Sequence, residues 1–415
     1  MWTGLIGTHN RPRMQSRYAT YHSALRLALR SIDGWLAWRG DTKRQVGAAP
    51  RSPGRILVCN QGHLGDAVLA TSVIPVLRET WPQAQIGFLV HPGSRQVVER
   101  HPSINWVHSV DHWHTNRADV SMRQRFGRHH SSTIEALRDI RHVGYELAID
   151  LHPFFPNSIP LLRRSSINFL VGWDGAGFGQ WLDRAGANQG APVNVLDRHA
   201  ALLGLVGIDC DGSSLRPSLP LDDADVRSWR ERAEQFGIAD HFVAMHIGAH
   251  AAHRRWPQSH WAEVANELIA RRQRVVLFGH GAEEVLLGGE IATRCPAAID
   301  LCGRLQWGEL LAAIARCDLL LSHDSVAAHL ASAFDRPRIC IATGIHDLRM
   351  WLRANERSVV LSDPVACAPC GRIAGCSTMQ CIRGVSGDTV VEAATALIGA
   401  AGDVTLSAQQ TVLSP

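Results

Sequence analysis

An acidic residue, a hydroxyl and an imidazole follow one another closely at Asp324, Ser325 and His329. They come directly after the apolar run Leu319–Leu321, and Pro337 ends the small apolar segment that they open. This pattern predicts a buried strand, a sharp turn and a helix capped by Asp324 or Ser325. The N-terminus of such a helix favours a bound phosphate, because its unpaired N–H groups and its dipole attract negative charge. The alternative is an ordinary capped helix without a ligand.

A second turn of this kind lies early in the chain, where the apolar run ILVC is followed by Gly62, His63, Gly65 and Asp66. Glycines let the backbone bend tightly at the end of a strand. A carboxylate fixed on such a turn can take a proton from a bound hydroxyl, so Asp66 is a candidate general base. The alternative is that Asp66 only caps the helix that begins there.

Two further segments of the second half follow predicted strands and carry charged residues. Arg254 precedes a Trp-Pro pair, and an arginine can hold a phosphate with two donors. Glu283 and Glu284 lie in the first turn of a predicted helix. They either contact a ligand or are solvated acids that the helix dipole favours. Three histidines near Arg254 share no ligand face on a strand-to-loop segment, which favours loop histidines near an anion site over a metal site: His246, His250 and His253.

Four of the ten cysteines are clustered in the pattern C-x2-C-x5-C-x4-C. Four thiols this close can surround a tetrahedral ion, so the spacing predicts one structural Zn or Fe ion. The alternative is a reduced, irregular loop or a single disulfide. The predicted ligands are Cys367, Cys370, Cys376 and Cys381.

The overall composition is that of a globular protein, with 46% hydrophobic and 19% charged residues and a formal net charge of +4. This mild positive charge suits anionic substrates and does not indicate a nucleic-acid partner. No apolar run approaches the length needed to span a bilayer, and the early apolar run is broken by arginines. The sequence therefore predicts a cytoplasmic protein.

Strand and helix patterns alternate in two series, which predicts an α/β fold with two doubly wound, Rossmann-like domains facing each other across a cleft. We expect one long helix after the first strand, a loop over 111–130 and a helix from Ser132 to Val143. The proline- and aspartate-containing segment 217–225 is the predicted linker. The predicted divisions are an N-terminal extension over 1–50, a first domain over 51–222, and a second over 223–415 with the cysteine-rich segment 367–381.

The N-terminal extension contains an amphipathic pattern over Ser23–Arg39. Its leucines recur at helical spacing, and arginines and two tryptophans occupy other positions. A basic amphipathic helix of this kind can lie on an anionic membrane surface or dock on its own protein.

The ordered set of motifs resembles glycosyltransferase family nine, the ADP-heptose heptosyltransferases of lipopolysaccharide core synthesis. The four motifs are GHLGD at 62–66, HIGAHAAHRRWP at 246–257, FGHGAEE at 278–284 and DSVAAH at 324–329. The resemblance extends from about residue 55 to the last predicted helix. It implies the GT-B fold, with the acceptor held by the first domain and the nucleotide-sugar donor by the second. It also implies inversion at the sugar carbon without a catalytic metal.

The resemblance also implies roles for individual residues. Asp66 matches the family's proposed general base, in the acceptor-side turn formed by Gly62, His63 and Gly65. Arg254 stands where members usually carry lysine near the donor phosphates, and Glu283, or Glu284 if the alignment shifts by one, matches an acid that contacts the ribose. The implied phosphate-binding turn is Asp324, Ser325, Val326 and His329.

One position departs from the family pattern: Val326 stands where members usually carry glycine. A β-branched residue does not readily adopt a positive φ, and its side chain could crowd a diphosphate. The expected activity is transfer of heptose from ADP-heptose to a lipopolysaccharide core or other surface glycan, with peripheral contact at the inner membrane. The alternatives are a different nucleotide sugar and a catalytically idle nucleotide-binding protein.

Overall fold

The structure is a computed structural model, and it describes residue 18 and residues 23–40, 48–116, 118–191 and 193–410. The chain divides into two compact units between Pro220 and Leu221, inside the segment predicted as a linker. Each unit is built on one parallel sheet of six strands. The prediction of two successive α/β units is therefore confirmed.

The sheet of the first unit has the strand order β3-β2-β1-β4-β5-β6, and all its pairings are parallel. Its central strand pairs Ile56 with Ile86 on one side and with Leu147 on the other. Strands with apolar residues on both faces suit a sheet that is covered by helices on both sides. The strands are β1 (Arg55–Asn60), β2 (Gln85–Val90), β3 (Trp106–Ser109), β4 (Leu147–Asp150), β5 (Phe169–Trp173) and β6 (Arg184–Gly186).

The helices of the first unit follow its strands, as expected for βα units, and one further helix precedes the sheet. They are α1 (Ser23–Trp38), α2 (Leu64–Ala70), α3 (Val73–Thr80), α4 (Met122–Val143), α5 (Ile159–Arg164) and α6 (Val195–Gly204). Short 3-10 turns cover Pro92–Val97, Asp174–Ala176 and Gly179–Trp181.

The second unit repeats this arrangement with the strand order β12-β11-β10-β7-β8-β9, again parallel throughout. Its strands are β7 (Val243–His246), β8 (Val275–Phe278), β9 (Ile299–Asp300), β10 (Leu319–His323), β11 (Arg338–Ile341) and β12 (Ser358–Leu361). Its helices are α7 (Asp223–Gln235), α8 (Gln258–Ala270), α9 (Ala282–Arg294), α10 (Trp307–Arg316), α11 (Val326–Ala333), α12 (Gln380–Arg383) and α13 (Gly387–Gln410).

Each sheet reverses its winding direction once, and these reversals locate the candidate site. The first unit reverses between β1 and β4, and the second between β7 and β10. In doubly wound folds, ligands bind beyond the carboxyl ends of the strands at this reversal, because the flanking loops separate there. The Gly62–Asp66 turn follows β1, and Asp324 follows β10, so both predicted motifs lie at such a position.

The prediction of one long helix after β1 is wrong, since the structure contains two helices, α2 and α3, that meet at Thr71 and Ser72. Pro75 lies in the first turn of α3 and has no N–H to donate. A continuous helix would also bring its ring against the carbonyl of Thr71. The interruption places the proline where a helix tolerates it.

The loop predicted over 111–130 is also wrong in its second half, because α4 begins at Met122. Ser121 caps the helix by accepting from Gln124 N at 3.3 Å, and the Gln124 side chain accepts from Ser121 N at 2.9 Å. This reciprocal pair starts the helix although its first turns carry no continuous apolar face. The capping pattern S-x-x-Q was the sequence signal for it.

Other differences are smaller. The predicted linker includes Asp222, whose carboxylate accepts from Asp225 N at 2.9 Å and thereby begins α7. Helix α5 and strand β6 were not predicted, since both are short.

Helix α1 packs against its own unit with one face. Leu29 and Leu36 are buried, with exposed fractions of 2% and 4%. Asp33 accepts from the backbone N–H of Phe178 at 2.8 Å and from the hydroxyl of Tyr18 at 2.8 Å. Docking on its own protein, one of the two expected roles, is therefore observed for this face.

Across residue 18 and residues 23–40, 48–116, 118–191 and 193–410, no helix combines the length and apolarity needed to cross a bilayer.

Candidate functional site

The turn after β1 is held by the side chain of Asn60, the last residue of that strand. Its Oδ1 accepts from Gly62 N at 2.9 Å, and its Nδ2 donates to the backbone oxygen of Asp66 at 3.3 Å. These two bonds fix the backbone on both sides of the turn. The first helical residue, Leu64, follows at once, so the turn is a rigid strand-to-helix connection.

Asp66 occupies the first turn of α2 and faces back across the glycines. One carboxylate oxygen, Oδ2, accepts from His63 N at 2.7 Å. A Cβ added at Gly62 would approach the Asp66 Cβ to 2.5 Å, so only glycine leaves room for this side chain. Asp66 is half-buried. The structure thus shows a capping contact for Asp66 together with a fixed position at the carboxyl edge of the sheet.

A second carboxylate, Asp150, ends the neighbouring strand β4. It is fully buried, and this burial raises its pKa to about 7, although N–H bonds from Ser158 at 2.6 Å and His152 at 3.3 Å favour the charged form. These bonds close the loop over 151–158 onto the end of the strand. Sequence analysis did not select Asp150, and its position as the last residue of a buried strand was the available signal.

In the second unit, the carboxyl ends of β7 and β10 are joined by His323. Its Nε2 accepts from Trp256 N at 2.8 Å, and its Nδ1 lies 3.0 Å from the Gly248 oxygen. Because Nε2 is the acceptor, Nδ1 carries the hydrogen and donates it to that carbonyl. Burial lowers the pKa of His323 to about 4, so the ring is neutral near pH 7. His323 therefore fixes both ends of the loop that carries Arg254.

Arg254 lies in a short 3-10 turn between these two anchored points. Its Nη2 is 3.3 Å from His346 Nε2, and its charge lowers the pKa of the neighbouring Asp324 carboxyl, opposing the larger upward effect of burial. Burial and Arg254 together lower the pKa of His346 to about 4, so this neutral ring accepts from the guanidinium. The structure thus brings Arg254 and Asp324 together, and His346 is a neighbour that sequence analysis missed.

Helix α11 begins at Val326 with Ser325 at the N-cap position, but no side chain among the described residues makes the predicted capping hydrogen bond there. Val326 has no positive φ, so the backbone at this position does not require glycine. The valine remains half-buried at the first helical position, where its side chain borders the helix N-terminus. His329 lies one turn further on, and burial lowers its pKa to about 3. It is therefore a neutral residue that supplies no positive charge.

The two glutamates at the start of α9 have different surroundings. Glu283 is exposed and pairs with Nη2 of Arg255, whose hydrogen bond and charge lower the pKa of that carboxyl. Glu284 turns inward and accepts from His280 N at 2.7 Å. A Cβ at Gly248 would approach the Glu284 Cδ to 2.1 Å, so its carboxylate fills the space that this glycine leaves.

Several polar side-chain atoms near these strand ends are buried without a hydrogen-bond partner among the described residues. Three of them lie in the loops after β7 and β10 or at the end of β7: His246 Nδ1, His253 Nε2 and Ser325 Oγ. Buried polar groups in folded proteins are ordinarily paired, so such a group of atoms is typical of a site for a polar ligand.

The cysteine-rich segment, residues 367–381, packs against the loops that carry Arg254 and His346. The N–H groups of Cys370 and Gly371 donate to the oxygens of Gly344 and Ile345, the two residues before His346. The ring of His253, the residue before Arg254, packs against Gly375. A Cβ added at Gly375 would lie only 2.8 Å from Cγ of His253. The segment thus contacts both loops that meet at Arg254.

All four clustered cysteines are unpaired thiols. Burial and the charges of Cys370, Cys376 and Cys367 raise the pKa of Cys381, so each of these three thiols lies within electrostatic range of Cys381. Within the described part of the chain, however, no three His, Cys, Asp or Glu side chains are gathered as a metal ion would require. The metal site remains a prediction.

Apart from the four cysteines, the predicted site residues therefore fall at two places. Gly62, His63, Gly65 and Asp66 form one turn of the first unit. The remaining predicted residues, Arg254, Glu283, Asp324, Ser325, Val326 and His329, lie around the carboxyl ends of β7, β8 and β10 in the second unit. The contacts of His323, His346 and Arg255 join this second set.

Comparison with known proteins identifies related sequences and related folds. Lipopolysaccharide heptosyltransferase 2 of Salmonella typhimurium is 26% identical over 301 residues, which cover 69% of this chain and 82% of that protein. A family 9 glycosyltransferase structure from Veillonella parvula superposes with a TM-score of 0.72 at 21% identity, covering 85% of this chain and 99% of that one. The E. coli ADP-heptose lps heptosyltransferase II structure gives 0.62 at 20% identity, covering 83% and 98%.

These structural similarities establish the fold, and the predicted GT-B fold is confirmed. Residues 134–379, more than half of the chain, match the sequence model of glycosyltransferase family 9 (heptosyltransferase). The chain belongs to glycosyltransferase family 9.

Proposed function

We propose that this glycosyltransferase transfers heptose from ADP-heptose to a lipid-linked surface glycan of the lipopolysaccharide type, with inversion at the sugar carbon. The observation that carries the proposal is the surroundings of Arg254. The charge of this cation acts on Asp324, which directly precedes Ser325, the N-cap residue of α11, and the buried Ser325 hydroxyl has no hydrogen-bond partner among the described residues. The names of two related proteins, a lipopolysaccharide heptosyltransferase and an ADP-heptose lps heptosyltransferase, support the choice of donor and acceptor.

The donor diphosphate would bind in the second unit. His323, His329 and His346 are neutral near pH 7, since burial lowers the pKa of each. In this proposal, attraction for a diphosphate comes from Arg254 and from the amide groups at the start of α11. As the bond between the sugar carbon and the diphosphate oxygen breaks, these groups would stabilise the charge that develops on the departing ADP. The proposed mechanism requires no catalytic metal.

The acceptor hydroxyl would be activated by Asp66 in the first unit. Its carboxylate would take the hydroxyl proton while the hydroxyl oxygen forms the new bond to the sugar carbon, opposite the leaving diphosphate. Asn60 and Gly62 fix the turn that carries this carboxylate. A base held on a rigid turn loses little orientation freedom when the substrate binds, which favours the transition state.

A different nucleotide sugar is the second candidate, and Val326 is the observation that favours it. Its side chain lies at the helix N-terminus, at a position where members of the family usually carry glycine. Calorimetry with ADP, UDP and GDP tests the nucleotide directly. We expect ADP to bind at least about tenfold more tightly than UDP or GDP, which corresponds to about 1.4 kcal/mol. Tighter binding of UDP or GDP would overturn the ADP assignment.

Transfer itself is tested with ADP-heptose and a lipopolysaccharide acceptor that lacks the terminal heptose. We expect one ADP released for each heptose transferred, and β-linked donor should give α-linked product or the reverse. Nucleotide binding without any transfer to such acceptors would favour a catalytically idle protein. Retention of the donor configuration would contradict inversion.

We also propose that Cys367, Cys370, Cys376 and Cys381 hold one structural Zn or Fe ion when the segment closes around it. Their residue types fit a thiolate site, and the segment supports both loops at Arg254. Elemental analysis of protein purified without an affinity metal should find about one ion per chain. Less than about a tenth of that, with all four thiols alkylated in the native protein, would rule the site out.

A further inference from the structure

Helix α1 has a second face, opposite to the one that packs on its unit. Leu27, Trp35 and Trp38 are exposed, with fractions of 67%, 51% and 81%. At about 100° per residue, these three side chains fall within about 80° of one another, and Leu29 and Leu36 fall on the opposite side. The apolar surface therefore continues over about 16 Å of helix length, from residue 27 to residue 38.

This concentration of exposed apolar side chains is unusual for the molecule. Among the described residues, ten large hydrophobic side chains are exposed, and four of them belong to the sixteen-residue helix α1. Single exposed hydrophobic residues need no explanation, but a contiguous set on one helix face indicates an interaction surface.

The exposed charges of the helix itself are of one sign. Arg30 and Arg39 are exposed, and the guanidinium carbon of Arg39 lies 4.8 Å from the centre of the Trp35 ring. The only carboxylate between residues 23 and 40, Asp33, is buried against Phe178 and Tyr18 on the inner face. A surface of tryptophan, leucine and arginine without exposed acids complements an anionic lipid surface, with tryptophan at the headgroup level.

We infer that the outer face of α1, formed by Leu27, Trp35 and Trp38 with Arg30 and Arg39, binds an anionic lipid bilayer. Because the inner face is fixed by Leu29, Asp33 and Leu36, the helix would hold the whole first unit at a set orientation to the membrane. The inference deepens the proposed function, since a lipid-linked acceptor lies at such a surface. It names the element of this chain that reaches the lipid.

The test is co-sedimentation of the full chain with vesicles of phosphatidylcholine containing about one third phosphatidylglycerol. The wild type should sediment with these vesicles and far less with pure phosphatidylcholine. The double variant Trp35→Gln/Trp38→Gln should bind at least about tenfold more weakly, because it loses most of the insertable apolar area. Arg30→Gln and Arg39→Gln should each weaken binding about fivefold, with the difference removed by high salt.

Leu286→Gln is the matched control, since Leu286 is 70% exposed on α9 of the other unit. It should leave sedimentation unchanged. The melting temperature and ADP binding of each variant are measured in parallel, so that lost binding cannot be attributed to unfolding. Undiminished sedimentation of the folded tryptophan variant would overturn the inference, as would absence of wild-type binding to the anionic vesicles.

The alternative partner for this face is a second copy of the chain, and light scattering distinguishes such self-association from membrane binding. A wild-type dimer that becomes a monomer in the tryptophan variant, with vesicle binding unchanged, would assign the face to self-association and overturn the inference. Vesicle binding as expected without heptose transfer would refute the proposed function alone. Transfer to a lipid-free acceptor without vesicle binding would refute the membrane role alone.

Discussion

The carboxyl ends of β1 and β4 in the first unit correspond to those of β7 and β10 in the second, because both sheets have the same strand order. Their chemistry is nevertheless different. The first presents carboxylates, Asp66 and Asp150, bonded to backbone N–H groups. The second combines Arg254 with a helix N-terminus and neutral histidines. The same topology thus provides two different sites. The one in the first unit is suited to accept a proton, and the one in the second unit is suited to hold negative charge.

The substitution with the largest expected effect on this difference is Asp66→Asn. If the carboxylate acts as general base, turnover should fall by about 10²–10⁴-fold, because the amide cannot take the proton. The amide oxygen can still accept from His63 N, so folding and donor affinity should be retained.

The measurement is steady-state transfer, with melting temperature and ADP calorimetry as controls. If Asp66 only caps α2, the variant would transfer heptose within a few-fold of wild type. Any loss would then appear as a lower melting temperature, and Asp66 would leave the mechanism.

The second test concerns Asp150, the other carboxylate of the first unit. Burial raises its pKa to about 7, so the folded state binds a proton more tightly than the unfolded chain does. Its contribution to stability should therefore be complete below about pH 4 and decline as the pH rises to about 7. Asp150→Asn does not titrate, so its free energy of unfolding relative to wild type should rise across this range, by up to about 4 kcal/mol.

Urea unfolding of both proteins at several pH values measures this difference. Asp335→Asn, at an exposed carboxylate of the second unit, is measured in parallel as the reference variant. A difference for Asp150→Asn that does not change with pH would show that burial does not favour its neutral form.

The third test concerns the second unit, where Arg254→Ala should weaken ADP binding by about 1.5–3 kcal/mol, the range for a hydrogen bond to a charged group. Arg254→Lys should recover part of this loss, since an ammonium keeps the charge without the two-donor geometry. Arg271→Ala, at the residue that follows α8 and forms an exposed i,i+4 pair with Glu267, should bind ADP as wild type does. Equal affinity of Arg254→Ala and wild type would place the diphosphate elsewhere.

The fourth and smallest test is His323→Leu. It removes the acceptor for Trp256 N and the donor for the Gly248 oxygen, leaving two buried polar groups unpaired. We expect a loss of about 1–3 kcal/mol in the free energy of unfolding of the second unit, with weaker ADP binding because the Arg254 loop loses its anchor. The readout is urea unfolding together with calorimetry.

His323→Asn can keep one of the two bonds and should lose less of both quantities. His241→Leu, at a surface histidine whose side chain is 88% exposed, should change neither. Normal ADP binding by destabilised His323→Leu protein would limit His323 to a structural role.

Much of the fold follows from the sequence. Buried strands such as Arg55–Asn60 and Leu319–His323 are continuous apolar runs followed by glycine or capping residues, and this local pattern locates both functional turns. The helix predicted to begin near Glu283 and Glu284 is observed as α9, Ala282–Arg294. The helix break before Pro75 and the helix start at Ser121 each depend on one or two residues, and the apolar pattern around them does not reveal either.

What the sequence determined by itself was the type of each functional turn, because a strand end, a glycine and a capping residue act through neighbouring backbone. Which side chains meet there was decided only by the tertiary structure. His346 reaches Arg254 from ninety-two residues away, and His323 bonds to the loop sixty-seven residues before it. Such contacts depend on how strands from distant parts of the chain are ordered in the sheet. No local pattern encodes that order, because it is fixed by the packing of the whole unit.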